Sequence, residues 1–318
     1  SSRKWVLPII AVLASIIILL SCLYDKTDEG GLHDEDAAPV PSQVAARTST
    51  SYGVGQQEKI IEREHISLPS ELKTIIGEGE NPYGVQGRIY QLGLLEKEPV
   101  SQLVFDHMYE FLLDPNALPT VSSVALPALK NEVMNFLLKK TTDAEEIADL
   151  LTNLYHDLSH PIVIRDYALQ HLGEIYTRLP EEPRSAILPA FLEATMEDKG
   201  PISGTALLAL RRFAEEGILV GDVTKRRIEN IALDRARNAS LPASSRATAV
   251  QVSARLGDPR LLELARNYSA EADETILRCA SIAALGELAD RKFKVEIAEM
   301  RYHPDIRIRT AALVALDR

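Results

Sequence analysis

From Leu72 onward, apolar residues recur at three- and four-residue spacing, and Pro or Gly interrupts the pattern at short intervals. That is the period of an amphipathic helix. It predicts helices near 81–97, 98–113, 123–140, 143–158 and 161–177. No run alternates apolar and polar residues with the Val, Thr and Tyr content of a strand. Pro82, Pro99, Pro161, Pro183, Pro201, Pro242, Pro259 and Pro304 fall near predicted helix starts, where a missing N–H costs little. Thr142 and Glu145 have the spacing of a capping box.

The amino-terminal stretch is different. No charge interrupts the run from Trp5 to Tyr24, and a helix of that length spans roughly 30 Å, one bilayer core. Arg3 and Lys4 precede the run, and Asp25, Asp28 and Glu29 follow it. By the positive-inside rule the amino terminus is expected to stay cytoplasmic and the remainder to be exported to a periplasmic or extracellular space. Residues 1–24 are therefore expected to be a membrane anchor, and two readings stay open. The run is a retained signal anchor, or it is a cleaved signal: Leu19-Leu20-Ser21-Cys22 resembles a bacterial lipobox, which would make Cys22 the lipidated first residue. Both readings tether the chain. Residues 25–66, rich in Asp, Glu, Gly, Ser, Thr and Pro, are expected to form a flexible acidic linker.

The carboxy-terminal half carries an internal repeat. With Arg165, Ser203, Arg246, Arg278 and Arg309 as the reference position, the preceding residues are Ile164, Ile202, Ser245, Leu277 and Ile308. Three residues on stand Ala168, Ala206, Ala249, Ser281 and Ala312; seven on stand Leu172, Leu210, Ser253, Leu285 and Leu316. Residues four apart share one helical face. The small residue lets a neighbouring helix come close, and the apolar residues above and below it fill the seam. Second helices follow near 183–196, 223–236, 259–268 and 291–302, as in two-helix repeats.

The segments His160–Gly173, Asp273–Leu288 and His303–Leu316 resemble the HEAT repeat family, particularly its short bacterial form. The resemblance covers 160–318, and residues 67–159 read as divergent helical repeats of the same array. It implies an all-α fold, an α-solenoid of helical hairpins, with partners bound on its concave face and no catalytic residues. It also implies that the repeated arginines pair with acids of adjacent copies. The sequence ends directly after the first helix of the fifth copy, so Leu313 and Leu316 are expected to face a partner or a further helix.

Composition agrees with helix-on-helix packing: aromatics are 5% against 46% hydrophobic residues. The net charge of −11 is uneven. Residues 1–159 hold 12 Lys and Arg against 23 Asp and Glu, while residues 160–318 hold 23 of each. Nothing here forms the basic field of a nucleic-acid binder. Arg211, Arg212, Lys225, Arg226 and Arg227 flank one inter-helix loop and are the candidate contact for an acidic partner, because Arg offers a bidentate fork. His156 and His160, four apart, lack a third metal ligand, and neither a nucleophile elbow nor a phosphate-binding glycine loop is present. No metal and no cofactor is expected. Asn238-Ala-Ser240 and Asn267-Tyr-Ser269 match glycosylation sequons. The leading expectation is a membrane-anchored, non-enzymatic scaffold or accessory subunit that binds protein partners in a membrane complex. A periplasmic enzyme or chaperone of the HEAT-like lyase type, and a module binding anionic polymers, are the alternatives.

Overall fold

A computed structural model describes residues 69–77, 81, 83–288 and 293–317. The anchor at 1–24 and the linker at 25–66 lie outside the described residues. Among those described, all regular structure is helical. A single turn, Ser70–Lys73, precedes α1 (Gly84–Leu95), α2 (Gln102–Leu113), α3 (Leu126–Lys140), α4 (Ala144–His156) and α5 (Ile162–Tyr176). Then come α6 (Glu181–Ala194), α7 (Ile202–Glu215), α8 (Lys225–Arg237) and α9 (Ala243–Arg255). A 3₁₀ turn, Pro259–Leu261, leads into α10 (Leu262–Glu271), followed by α11 (Thr275–Glu287), α12 (Lys294–Met300) and α13 (Ile306–Leu316).

The helix ends follow local chemistry. Pro161, Pro180, Pro201 and Pro242 are the N-cap residues of α5, α6, α7 and α9. The predicted capping box lies one residue off. Asp143, not Thr142, caps α4, its carboxylate accepting from the backbone N–H of Glu145 and Glu146. Asp is a stronger N-cap residue than Thr, and its negative charge suits the positive end of the helix dipole.

The odd-numbered helices pack one on the next from α1 through to α13, and the even-numbered helices form the second layer. This is a solenoid-like stack of helical hairpins. The repeat column explains the contact. Ala168, Ala206, Ala249, Ser281 and Ala312 are all fully buried, as are Ile164, Ile202, Leu277 and Ile308 before them. The hairpins divide differently from the sequence reading, however. Each even helix packs more broadly on the odd helix that follows it than on the one before: α4 on α5, α8 on α9, α10 on α11, α12 on α13. Tight turns, such as 157–161 and 272–274, join the members of these pairs.

The layers are cemented by large side chains. Tyr176 stacks on Phe213 at 4.0 Å, and Phe191 meets both rings edge-on, so that α5, α6 and α7 share one aromatic knot. Where odd helices come closest the sequence supplies glycine. A Cβ on Gly286 of α11 would lie 2.7 Å from Ala315 of α13.

Candidate functional site

The reference position has a chemical role that the sequence only half discloses. The last carbonyls of a helix lack intrahelical partners, and in most copies the basic reference residue supplies them. Arg165 Nε donates to the Tyr155 carbonyl at the end of α4 (2.7 Å). Arg278 Nε donates to Ser269 O of α10 (3.2 Å), and Arg309 Nη1 to His303 O (2.8 Å). The structure adds two members. Lys130 of α3 donates to Leu112 O (2.9 Å) and Asp114 O (2.7 Å) at the end of α2. Arg88 of α1 donates to Ile75 O (2.8 Å) and Gly77 O (3.0 Å) beyond the first turn. Where Ser203 lacks a cation, Arg235 of α8 takes over, donating to Glu197 O (2.6 Å) and to the Asp198 carboxylate (2.9 Å). In the Arg246 copy the Tyr268 hydroxyl serves Ala236 O (2.9 Å), and the guanidinium lies 4.8 Å from the centre of that ring. The expected ladder of arginine and acid is seen at Arg165, which also holds Glu197 at 2.6 Å. Burial lowers the Lys130 ammonium to a pKa of about 8.

Counting from the reference residue gives each odd helix a set of directions. Positions one and eight on face the next odd helix and positions two and six the previous one, while position nine reaches back from Lys139 and Arg212 but forward from Arg255, which pairs with Glu287 of α11 (3.0 Å). Asn131 Oδ1 thus meets His171 Nε2 (2.9 Å), Thr205 donates to Asp166 (2.7 Å), and Lys139 pairs with Glu96 (3.2 Å). Burial drives His171 down to about 4 and raises the carboxyl of Asp166, against which the donors Thr205 and Gln170 pull. Position five on looks outward. Its occupants are Gly93, Asn135, Gln170, Leu208, Gln251, Ala283 and Val314, none of them charged, and each is exposed or half-buried. Position nine borders that row with Lys97, Lys139, Glu174, Arg212, Arg255 and Glu287, which mix the two signs. This outward row on the odd helices is the candidate binding face.

The five predicted contact cations are placed on two elements, and each already has a partner within the chain. Arg211 pairs with Glu215 (3.6 Å), and Arg212 donates to Gly173 O across to α5. At the start of α8, Lys225 and Arg226 both reach Glu229 (3.9 and 3.0 Å), while Arg227 pairs with Asp222 (3.3 Å). Arg212 borders the outward row and Arg211 stands at position eight of the same helix; Lys225, Arg226 and Arg227 belong to the even layer. Cys22 lies outside the described residues. His156 closes α4 against Glu193 (4.0 Å), whereas His160 turns to Leu113 O (3.3 Å), so the two do not converge. Among the described residues no group of three or more His, Cys, Asp or Glu is placed to hold a metal. Asn238 forms a turn with Ser240, but Ser269 of the second sequon is fully buried in α10. No helix of the described residues is long and apolar enough to cross a membrane.

No protein-family profile matches the chain, and no curated protein matches it. Among solved structures it is similar to human deoxyhypusine hydroxylase in complex with glycerol, at 17% identity and a TM-score of 0.35. That match covers 78% of this chain and 93% of the other. The matched protein is an enzyme, so the expectation of a non-enzymatic chain, drawn from helical repeats and missing motifs, is withdrawn. The likeness assigns this chain no activity and no residue role.

Proposed function

We propose that this chain is a HEAT-type repeat array that binds a protein partner along the outward row of its odd helices. The carrying observation is the row itself, which is free of charge in every copy while position nine beside it mixes the two signs. Uncharged amides and aliphatic groups such as Asn135, Gln170, Leu208 and Gln251 can be desolvated at modest cost. The bordering charges would fix register and suppress wrong partners. The apolar run at 5–24 supplies the membrane tether in this reading, with the array on the non-cytoplasmic side.

Site-specific photocrosslinking tests the face. A crosslinker at Leu208 or Gln251 of the full chain, in its native membrane, is expected to trap one discrete protein; one at Glu193 on α6 is not. Trapping from Glu193 alone would overturn the assignment. The mass of the mature amino-terminal peptide tests the tether. An intact Ser1 or a lipid on Cys22 supports it, and an unlipidated start beyond residue 24 sinks it.

A further inference from the structure

Three acids are buried among the described residues, and two of them have a cation. Asp258 holds Arg260 at 2.7 Å, and Glu229 holds Arg226 at 3.0 Å. Asp166, 5% exposed, has only neutral donors: Thr205 Oγ1 lies 2.7 Å from its Oδ1, and Gln170 Nε2 lies 2.8 Å from its Oδ2. Its chain neighbour Arg165 is taken up by Tyr155 O and Glu197. Asp166 stands one position after the reference residue, where the other copies hold Ile89, Asn131, Gly204, Ala247, Cys279 and Thr310, none of them charged. Helix packing at this position therefore needs no charge, and burying one without a counter-ion costs stability.

The cover over this carboxylate belongs to the outward row. Gln170, one turn on from Asp166, is the α5 member of that row and is exposed, so its amide can turn without disturbing the core. Each carboxylate oxygen has a further lone pair to offer. Building on the outward row as the face that the partner meets, we propose that Asp166 is its anchor point and receives a cationic side chain of the protein partner, a lysine ammonium or an arginine guanidinium. On binding, Thr205 keeps Oδ1, and Gln170 turns its carbonyl oxygen towards the incoming N–H groups. Asn135 and Leu208, the flanking members of the row, are uncharged, so no anion beside Asp166 in the row competes for that cation. The free chain carries the cost of the lone charge, and the partner's cation offsets it.

Photocrosslinking from Leu208, the next member of the row, tests this in the full chain and its native membrane. Asp166→Asn should cut the yield of the trapped protein about tenfold or more. Its thermal midpoint, followed by circular dichroism, should stay level or rise, because the change removes an unpaired buried charge and exposed Gln170 can turn to meet the new donor. A second arm identifies the cation. The purified chain in detergent micelles is mixed with membrane extract whose lysines have been acetylated, or whose arginines have been blocked with phenylglyoxal. One of the two treatments should bring the parent's yield down to that of the variant and leave the variant's yield unchanged. Equal yields from parent and variant, a lowered midpoint, or two treatments that each act on parent and variant in the same proportion would overturn the anchor and leave the row standing. No trapped protein from either chain would remove the row, and the anchor with it.

Discussion

Arg165 and Glu197 stand in successive copies, 32 residues apart, and are joined by a hydrogen bond of 2.6 Å. The same guanidinium serves the Tyr155 carbonyl, and the Tyr155 hydroxyl donates back to Glu197 (3.2 Å). One side chain therefore closes the end of α4 and clamps the segment that follows α6.

Arg165→Met should reveal that coupling. It strands a largely covered carboxylate and a helix-end carbonyl together, which costs about 3 kcal/mol of unfolding free energy. Glu197→Gln keeps an acceptor for both donors and should lose only about 1 kcal/mol. Urea denaturation of the two variants checks the order; equal losses would show that the carboxylate charge, rather than the shared geometry, carries the stability.

Close helix approach makes a second contrast. A Cβ at Gly286 would press on both backbone and side chain of Ala315, so Gly286→Ala should destabilise by about 1–3 kcal/mol. Gly93, inside α1, meets nothing within 4 Å, and Gly93→Ala there should stabilise by about 0.5–1 kcal/mol. Thermal melts of the pair should move in opposite directions.

The sequence carried the stack in its column of arginine and alanine because a buried small residue flanked by Ile and Leu has one physical meaning at that spacing. It concealed Arg88 and Lys130. The residue before Arg88 is Gly87 rather than Ile, Lys130 replaces an arginine, and the long 114–125 loop breaks the interval between copies. Hairpin partnership was equally hidden, since periodicity identifies helices but not which neighbour a helix favours. The outward row emerged only once the reference residues were aligned in space, for uncharged surface residues carry no signal of their own. The cation cluster looked like one patch because residues near one loop were assumed to share a surface; α7 and α8 belong to different layers.

His171 gives a prediction in acid. Burial holds its folded-state pKa at about 4, below the 6.5 of an open histidine. Between those values the unfolded chain takes up a proton that the folded chain refuses, so stability falls as pH drops from 6.5 towards 4. His171→Gln keeps a donor for Asn131 and cannot titrate. At pH 5 this variant should outlast the parent by about 1–2 kcal/mol, and near pH 8 the gap should vanish or reverse. Denaturation midpoints at the two pH values decide it; a constant gap would mean that packing alone is being measured.

Lys130 makes the opposite end of the scale informative. Burial lowers its pKa to about 8 from 10.5, and its neighbours across the packed elements are Asp114, Asp157 and His160, the two acids opposing the shift. In that window the unfolded chain holds a proton that the folded chain releases. The Lys130 contribution therefore grows as pH rises from about 8 to 10.5 and is least below pH 8. The amine can still donate to Leu112 O and Asp114 O when neutral, so the cap at the end of α2 survives deprotonation. Lys130→Arg retains donors and stays charged across the range. The difference in stability between parent and variant should widen by about 1–3 kcal/mol from pH 7.5 to 10, since tyrosine titration is common to both and cancels. A difference that stays flat would place the Lys130 proton outside this window and remove the buried cap from the pH response.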